Sequence, residues 1–416
     1  MKIRTVHPFP ARMAPELALN SLCALKANSI VLDPMAGSGT VLRQAISLGH
    51  TAIGFDMDPL AVLMSRVWTS KVDPRLVERE LANILADSAE VDLRTTRLEW
   101  HDDETVEFVR YWFGDPQRRS LTRLAAVMAR RRRTLRSDER LAALDVLQVG
   151  LSRIIVTKEQ CASLARDTSH SRPHRVALTS DYDVYEGFVR SVTQLVARLT
   201  GNEKVEQKPG EVSVRLGDAR SISLADGSVD AIMTSPPYLN AIDYMRGHRL
   251  SLVWLGYSLS ELRSIRSNTI GAERSYDDEC SIAQQIAEAM CDLGRLSSKH
   301  SNMIIRYAGD LERMMAQAAR VLRPGGTATY VLGNSCLKDT FIRNSDGVAK
   351  AGIHGGLELV TVAERELPAA SRYLPMTETG SLSKRMRTET ILTFRRPIPK
   401  ARSAEHIRAG ARSSNS

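Results

Sequence analysis

Residues 233 to 240 read Met-Thr-Ser-Pro-Pro-Tyr-Leu-Asn and follow directly on the run Val-Asp-Ala-Ile. Proline donates no backbone hydrogen bond and restricts the residue before it. Pro236 and Pro237 therefore stop a strand and hold the chain extended beyond it, with carbonyls aimed outward. Such a stretch serves either as a rigid loop or as an acceptor site for an amino group. A second chemical signal is VLDPMAGSGT, residues 31 to 40. A strand ending at Asp33, then Pro34, Gly37 and Gly39, then a helix from Thr40, makes a tight turn where a ligand can approach bare backbone at a helix N-terminus. The spacing is not Gly-x-Gly-x-x-Gly and no Gly-Lys-Ser/Thr follows, which argues against a nucleoside triphosphate. Asp56 ends the next strand, where a carboxylate accepts both hydroxyls of a ribose; Asp58 competes for that role. The alternative for Asp56 is to cap the helix from Pro59. Asp218 in LGDAR ends a third strand, a place suited to an adenine amino group, although a turn aspartate is the plainer reading.

The elements that must carry these residues follow from periodicity. SIVLD is a short apolar strand, TVLRQAISLG a helix closed by Gly49, and HTAIGFD a second strand, so residues 29 to 56 form a strand-loop-helix-strand unit of a parallel sheet. The pattern resumes with strands in SVRLGDAR and VDAIMTSPP. LERMMAQAARVLRPGGTATYVLGN then reads as a helix, a Pro-Gly-Gly turn and a strand. LELVTVAERELP and RTETILTFRR read as antiparallel strands closing the sheet edge. Between the halves lies a charged, helical stretch of its own apolar periodicity, more than a loop of that length would need. The expected organisation is an α/β fold with a mainly parallel sheet closed by an antiparallel hairpin. Residues 1–67 and 209–396 build it, 68–208 are a helical basic insertion, and 397–416 are a basic tail too poor in apolar residues to pack. No internal repeat is present.

At 416 residues, 43% hydrophobic and 25% charged, the chain reads as globular. No apolar stretch is long enough to cross a bilayer and no apolar signal core follows Met1, so a cytoplasmic location is expected. Five scattered cysteines without a Cys-x-x-Cys pair suggest neither disulfides nor a metal site. A surplus of 57 Lys+Arg over 48 Asp+Glu gives a formal charge of +9, suited to a polyanion. Arginines crowd residues 118 to 140, and basic residues recur from Lys384 to Arg412. Such runs are either solvated faces or phosphate contacts.

The pairing of DPMAGSGT with TSPPY resembles the amino-methyltransferases of DNA, which use S-adenosylmethionine to methylate the exocyclic nitrogen of cytosine or adenine. HPFPARMAPEL near the start is similar to the segment that closes over the methionine end of the cofactor in such enzymes. YLNAIDYMRGHRLSLVWLG and SRYLPMTETGSLSKRMRTETILTF resemble a cytosine-N4 group of bacterial modification and defence systems. The resemblance covers residues 1 to 66 and 211 to 396; the insertion matches nothing comparable. It implies a Rossmann-like methyltransferase fold, S-adenosylmethionine as cofactor, and a cofactor site of Asp33, Pro34, Gly37, Gly39, Thr40, Asp56, Asp58 and Asp218. It implies a catalytic set of Ser235, Pro236, Pro237 and Tyr238.

The amino nitrogen of cytosine or adenine is conjugated into its ring and is a poor nucleophile. If Ser235 and the carbonyl of Pro236 accept its two hydrogens, the lone pair is released toward the cofactor's methyl group, by positioning and preorganised electrostatics alone. Tyr238 would stack on the base, which must leave the duplex to be reached. Methylation at ring carbon five would need a cysteine nucleophile after a proline, and no cysteine here follows one. Serine at the first motif position favours cytosine-N4; adenine-N6, or an amine of RNA, is the alternative. Double-stranded DNA with a flipped base is the expected partner, met by Arg12, Tyr244, Arg246, Arg131, Arg132 and Arg385. Asp243, Arg249 and His7 are secondary candidates. Any restriction endonuclease or defence subunit would be a separate chain. Target recognition is expected in 68–208, with 250–300 as the rival.

Overall fold

The computed structural model describes residues 6–7, 13–166, 173–200, 210–239, 243–271, 281–337, 340–367 and 388–399. After helix α1 (Pro15–Cys23), the apolar alternation of β1 (Ile30–Asp33) turns Val31 to one face of the sheet and Leu32 to the other. The chain crosses by α2 (Thr40–Ser47) to β2 (Thr51–Asp56). Gly39 caps α2 at φ 88°, a conformation glycine adopts without strain, and a Cβ there would lie 3.1 Å from the Ser65 Cα. Gly49, just past the helix end, has φ 78°, as a closing glycine should.

Helix α3 (Pro59–Thr69) leads away from the sheet into α4 (Pro74–Ala89), α5 (Asp103–Trp112), α6 (Asp115–Thr134) and α7 (Asp138–Ser152). A short pair, β3 (Ala165–Arg166) and β4 (His174–Arg175), precedes α8 (Val184–Thr200). The chain returns through β5 (Val212–Leu216) and β6 (Val229–Thr234), then α9 (Tyr244–Leu252), α10 (Leu259–Ser267), α11 (Ser281–Met290) and α12 (Ser298–Val321). β7 (Leu322–Leu332), the small pair β8 (Ser335–Leu337) and β9 (Thr340–Ile342), and α13 (Asn344–His354) follow. A closing hairpin of β10 (Glu358–Glu366) and β11 (Thr388–Arg395) completes the sheet. The expected Pro-Gly-Gly turn is taken into the start of β7, where pairing with β6 is irregular.

The seven-stranded sheet runs β10-β11-β7-β6-β1-β2-β5. Strands β7, β6, β1, β2 and β5 pair in parallel, and β11 is antiparallel to both of its neighbours. This is the expected α/β, Rossmann-like methyltransferase fold. From β1 the chain builds outward to β2 and β5 on one side, then crosses back to β6 and β7 on the other. The carboxyl ends of β1 and β6 flank that reversal, where open α/β sheets bind ligands. One core lies between the sheet and α11, α12 and α13; a smaller one lies under α1 and α2.

The third core spans the expected boundary at residue 67. Helix α3 runs through that point, and Leu60, Met64 and Trp68 share a single buried cluster with Leu121, Leu147 and Phe188 of the insertion and with Leu250 and Trp254 beyond β6. The insertion is packed onto the sheet domain rather than hung from it. Trp254 is buried between His101 and Phe113, their ring centroids 5.4 and 5.1 Å away. Trp254→Ala should cost about 3–5 kcal/mol, and urea denaturation should show insertion and sheet unfolding together; an insertion that melts apart from the sheet would contradict the shared core.

Candidate active site

The glycine turn is bonded on every side. Ala36 N–H donates to the Phe55 carbonyl (2.8 Å), Gly37 N–H to Asp56 Oδ2 (2.8 Å), and Ser65 Oγ of α3 to the Gly37 carbonyl (2.9 Å). Pro34, Gly39 and Thr40 are buried and shape the turn, whereas Met35 and Gly37 reach the surface. Asp56 stands at the carboxyl end of β2. Its Oδ1 accepts from Asp58 N–H (2.9 Å) and its Oδ2 from Gly37, which leaves lone pairs on both oxygens. Burial, and then the neighbouring Asp58 carboxylate, push its pKa up to about 6.

The competition between Asp56 and Asp58 has a structural answer. Asp58, not Asp56, caps α3, accepting from Leu60 N–H at 2.9 Å, and its other oxygen meets His248 Nδ1 of α9. Both Asp58 oxygens have partners in the chain, one of them a buried histidine, whereas both partners of Asp56 are backbone N–H groups. Asp218 also has a charged partner in the chain. Its carboxylate is gripped by Arg220 (Nη2 to Oδ2 2.7 Å, Nε to Oδ1 3.0 Å), which also reaches Asp310 at 2.7 Å. Burial alone would lower the Arg220 pKa, but Asp218 and Asp310 raise it above its ordinary value. Asp218 thus forms a part-exposed ion pair with Arg220, which engages one side of its carboxylate.

The Ser-Pro-Pro-Tyr stretch leaves β6 beside this turn. Thr234 Oγ1 donates to Asp33 Oδ1 at 2.7 Å, and Met35 N–H donates to the same oxygen at 3.2 Å. Asp33 therefore ties the two loops together instead of facing a ligand, and burial pushes its pKa up to about 7. Ser235 and Pro237 are part-exposed, Pro236 is buried, and Tyr238 is 9% exposed and packed into the core under the sheet. No hydrogen bond to Ser235 Oγ or the Pro236 carbonyl occurs among the described residues. The Pro237 carbonyl and the Leu239 N–H, by contrast, are held by Tyr307 and Asn344, two residues that no local pattern marked.

The expected phosphate contacts divide. Arg131 is turned inward onto Glu80 (3.1 Å) and Asp87 (2.8 Å), and Arg132 onto Asp145 and Gln148. Arg130 pairs with Asp87 and Arg133 with Glu99. A carboxylate as buried as Glu80, 2% exposed, needs such partners, and the run serves to fix α6 against α4 and α7. Arg131 and Arg132, expected at phosphates, make internal ties among the described residues. On α9, Arg246 is exposed; with Arg266 of α10 it flanks Asp243, at 3.7 and 2.7 Å. Arg249 stacks over Phe108, its carbon centre 5.2 Å from the ring centroid, and Tyr244 stacks on His248. Two guanidiniums thus flank one carboxylate just beyond the Ser-Pro-Pro-Tyr stretch. Arg12 and Arg385 lie outside the described residues, and His7 is buried. Among the described residues no cluster suited to a metal ion occurs, and no helix is long and apolar enough to cross a membrane.

The linkage at Asp33 gives a measurable sign. Its folded pKa, about 7, lies above its ordinary value of 3.8, so the folded state holds the proton more tightly. Its favourable contribution is complete below the lower value and is lost as pH rises through the higher one. Asp33→Asn keeps the acceptor and cannot ionise, so its melting temperature should gain on that of the wild type as the buffer moves from pH 5 to pH 8. A constant difference across that series would contradict the buried, proton-holding carboxyl.

Comparison with known proteins sets these features in context. No family model matches the chain. The Type II methyltransferase M.MvaI of Kocuria varians is 20% identical over 95% of this chain and 91% of its own length. The Type II methyltransferase M.MjaII of Methanocaldococcus jannaschii is 30% identical over 20% of this chain and 16% of its own. Among solved structures, a SAM-dependent methyltransferase of Methanosarcina mazei aligns with 94% of this chain and all of its own, at 9% identity and a TM-score of 0.33.

Proposed function

We propose that the protein transfers the methyl group of S-adenosylmethionine to the exocyclic N4 amine of cytosine in DNA, as the modification enzyme of a restriction or defence system. The observation that carries this reading is the pair of acceptors, Ser235 Oγ and the Pro236 carbonyl, which take no hydrogen bond among the described residues and stand at the strand-order reversal beside the glycine turn. The near full-length similarity to the Kocuria varians Type II methyltransferase supports it, as does the short match to the Methanocaldococcus jannaschii one. The cofactor is S-adenosylmethionine; the exposed Gly37 backbone and the spare lone pairs of Asp56 suit its ribose end.

The cofactor supplies a methyl carbon on a positively charged sulfur, which leaves as a neutral thioether. The chain's own residues prepare the nucleophile. Ser235 Oγ and the Pro236 carbonyl accept the two amine hydrogens, drawing the nitrogen toward tetrahedral geometry and freeing its lone pair; the cationic methylated amine then releases one proton to solvent water. Tyr238 walls the pocket for the extruded base, whose entry must uncover more of the ring. Tyr244, Arg246, Arg249 and Arg266 hold the flanking phosphates without reading sequence. The serine at the head of the motif supports cytosine over adenine.

Nucleoside digestion and mass spectrometry after incubation with labelled cofactor, DNA and RNA should find N4-methylcytosine. N6-methyladenine would keep the mechanism and overturn the base, and label confined to RNA would overturn the substrate. Ser235→Ala should cut kcat about 100- to 1000-fold with little change in cofactor affinity measured by calorimetry. Asp56→Ala should weaken cofactor binding roughly 10-fold or more. In the wild type that binding should fade as pH falls through about 6, where Asp56 takes up a proton. Arg246→Ala should weaken DNA binding in a titration against salt and reduce the slope of log K on log salt by about one.

A further inference from the structure

The two prolines leave one dihedral of the catalytic loop unguarded. Their rings fix φ at 236 and 237, and each proline restricts ψ of the residue before it, so ψ of Ser235 and Pro236 is set by sterics. The first free rotation is ψ of Pro237, which decides where Tyr238 points. At that position the Tyr307 hydroxyl, from α12, donates to the Pro237 carbonyl at 3.0 Å. Tyr307 is wholly buried, and burial together with Asp310 raises its pKa well above the ordinary phenol value, so the hydroxyl stays a donor at every working pH. On the far side of Tyr238, Leu239 N–H approaches Asn344 Oδ1 at 3.4 Å. The Asn344 amide is itself oriented by the Gly333 carbonyl (3.0 Å) and Ser335 Oγ (3.1 Å), and the residue is fully buried. Tyr238 is thus strung between two buried anchors, the nearer and shorter of which is Tyr307.

We propose that Tyr307 is a positioning residue of the methyl-transfer site: its hydroxyl locks Pro237, and through Pro237 it sets the direction of Tyr238 and removes the Pro237 carbonyl as a rival acceptor to that of Pro236. This rests on the functional reading above. Tyr307→Phe keeps the ring and removes only the donor.

The test joins kinetics with a spectroscopic readout that needs no DNA. Tyr307→Phe should lower kcat about 10- to 100-fold, with cofactor affinity and KM for DNA within about threefold. In a Tyr238→Ala background the same change should cost much less, since the residue through which it acts is gone. In protein labelled with 3-fluorotyrosine, the Tyr238 resonance, assigned with Tyr238→Phe, should be one narrow line in the wild type and broadened or multiple in Tyr307→Phe. An unchanged kcat with an unchanged resonance would overturn the proposal, and so would an equal fold-loss in both backgrounds. A wild type that transfers no methyl group to DNA would fell the functional reading alone, while the resonance would still decide the role of Tyr307.

Discussion

A single hydroxyl-to-carboxyl hydrogen bond, Thr234 to Asp33, spans 201 residues of sequence and fixes the height of the catalytic stretch against the glycine turn. At the opposite end of the same strand pair, Ile30 N–H donates to Asp230 Oδ2 at 2.8 Å, so β1 and β6 are pinned by side chains at both ends of a short parallel ladder. Misplacement by about 1 Å between a nucleophile and the group it attacks can cost about a hundredfold in rate. The remaining contacts of the site extend that pin. Ser65 holds the Gly37 carbonyl, Asp56 holds the Gly37 N–H, and Tyr307 and Asn344 hold the loop beyond Ser235.

The insertion supports the site from behind. Its arginine run neutralises buried carboxylates within its own helices, and its core continues into α9 and α10. Trp100 Nε1 lies 2.8 Å and His101 Nε2 2.9 Å from the Val253 carbonyl, at the end of α9. From the same helix His248 reaches back to Asp58, two residues after Asp56. The helix bearing the exposed Arg246 is therefore clamped between the insertion and the edge of the crevice, which makes the insertion a brace for that surface.

Much of this was legible in the sequence because it was local. Strand, glycine turn, helix and second strand follow one another within residues 29 to 56, and the alternation of Val31 and Leu32 declares a sheet buried on both faces. The stiffness of Pro236-Pro237 needs only the chemistry of proline. What was not legible shares one cause, that charge partners are set by tertiary packing. Nothing local distinguishes Asp58, paired with His248 across 190 positions, from Asp56, or an arginine facing Glu80 from one facing solvent. Tyr307 and Asn344 carry no motif at all; they become visible only when α12 and α13 are seen beneath the loop.

The long insertion between β2 and β5 also orders the events of synthesis. A ribosome adding about 5–20 residues per second delivers Thr234 roughly 10–40 s after Asp33. During that interval β1 has no β6 beside it, while helices α4 to α8, whose contacts are closer in sequence, are already complete and able to collapse. A nascent chain stalled before residue 234 therefore carries the insertion helices without Leu250 and Trp254 in their core, an open apolar sheet edge at β1 and no acceptor pair.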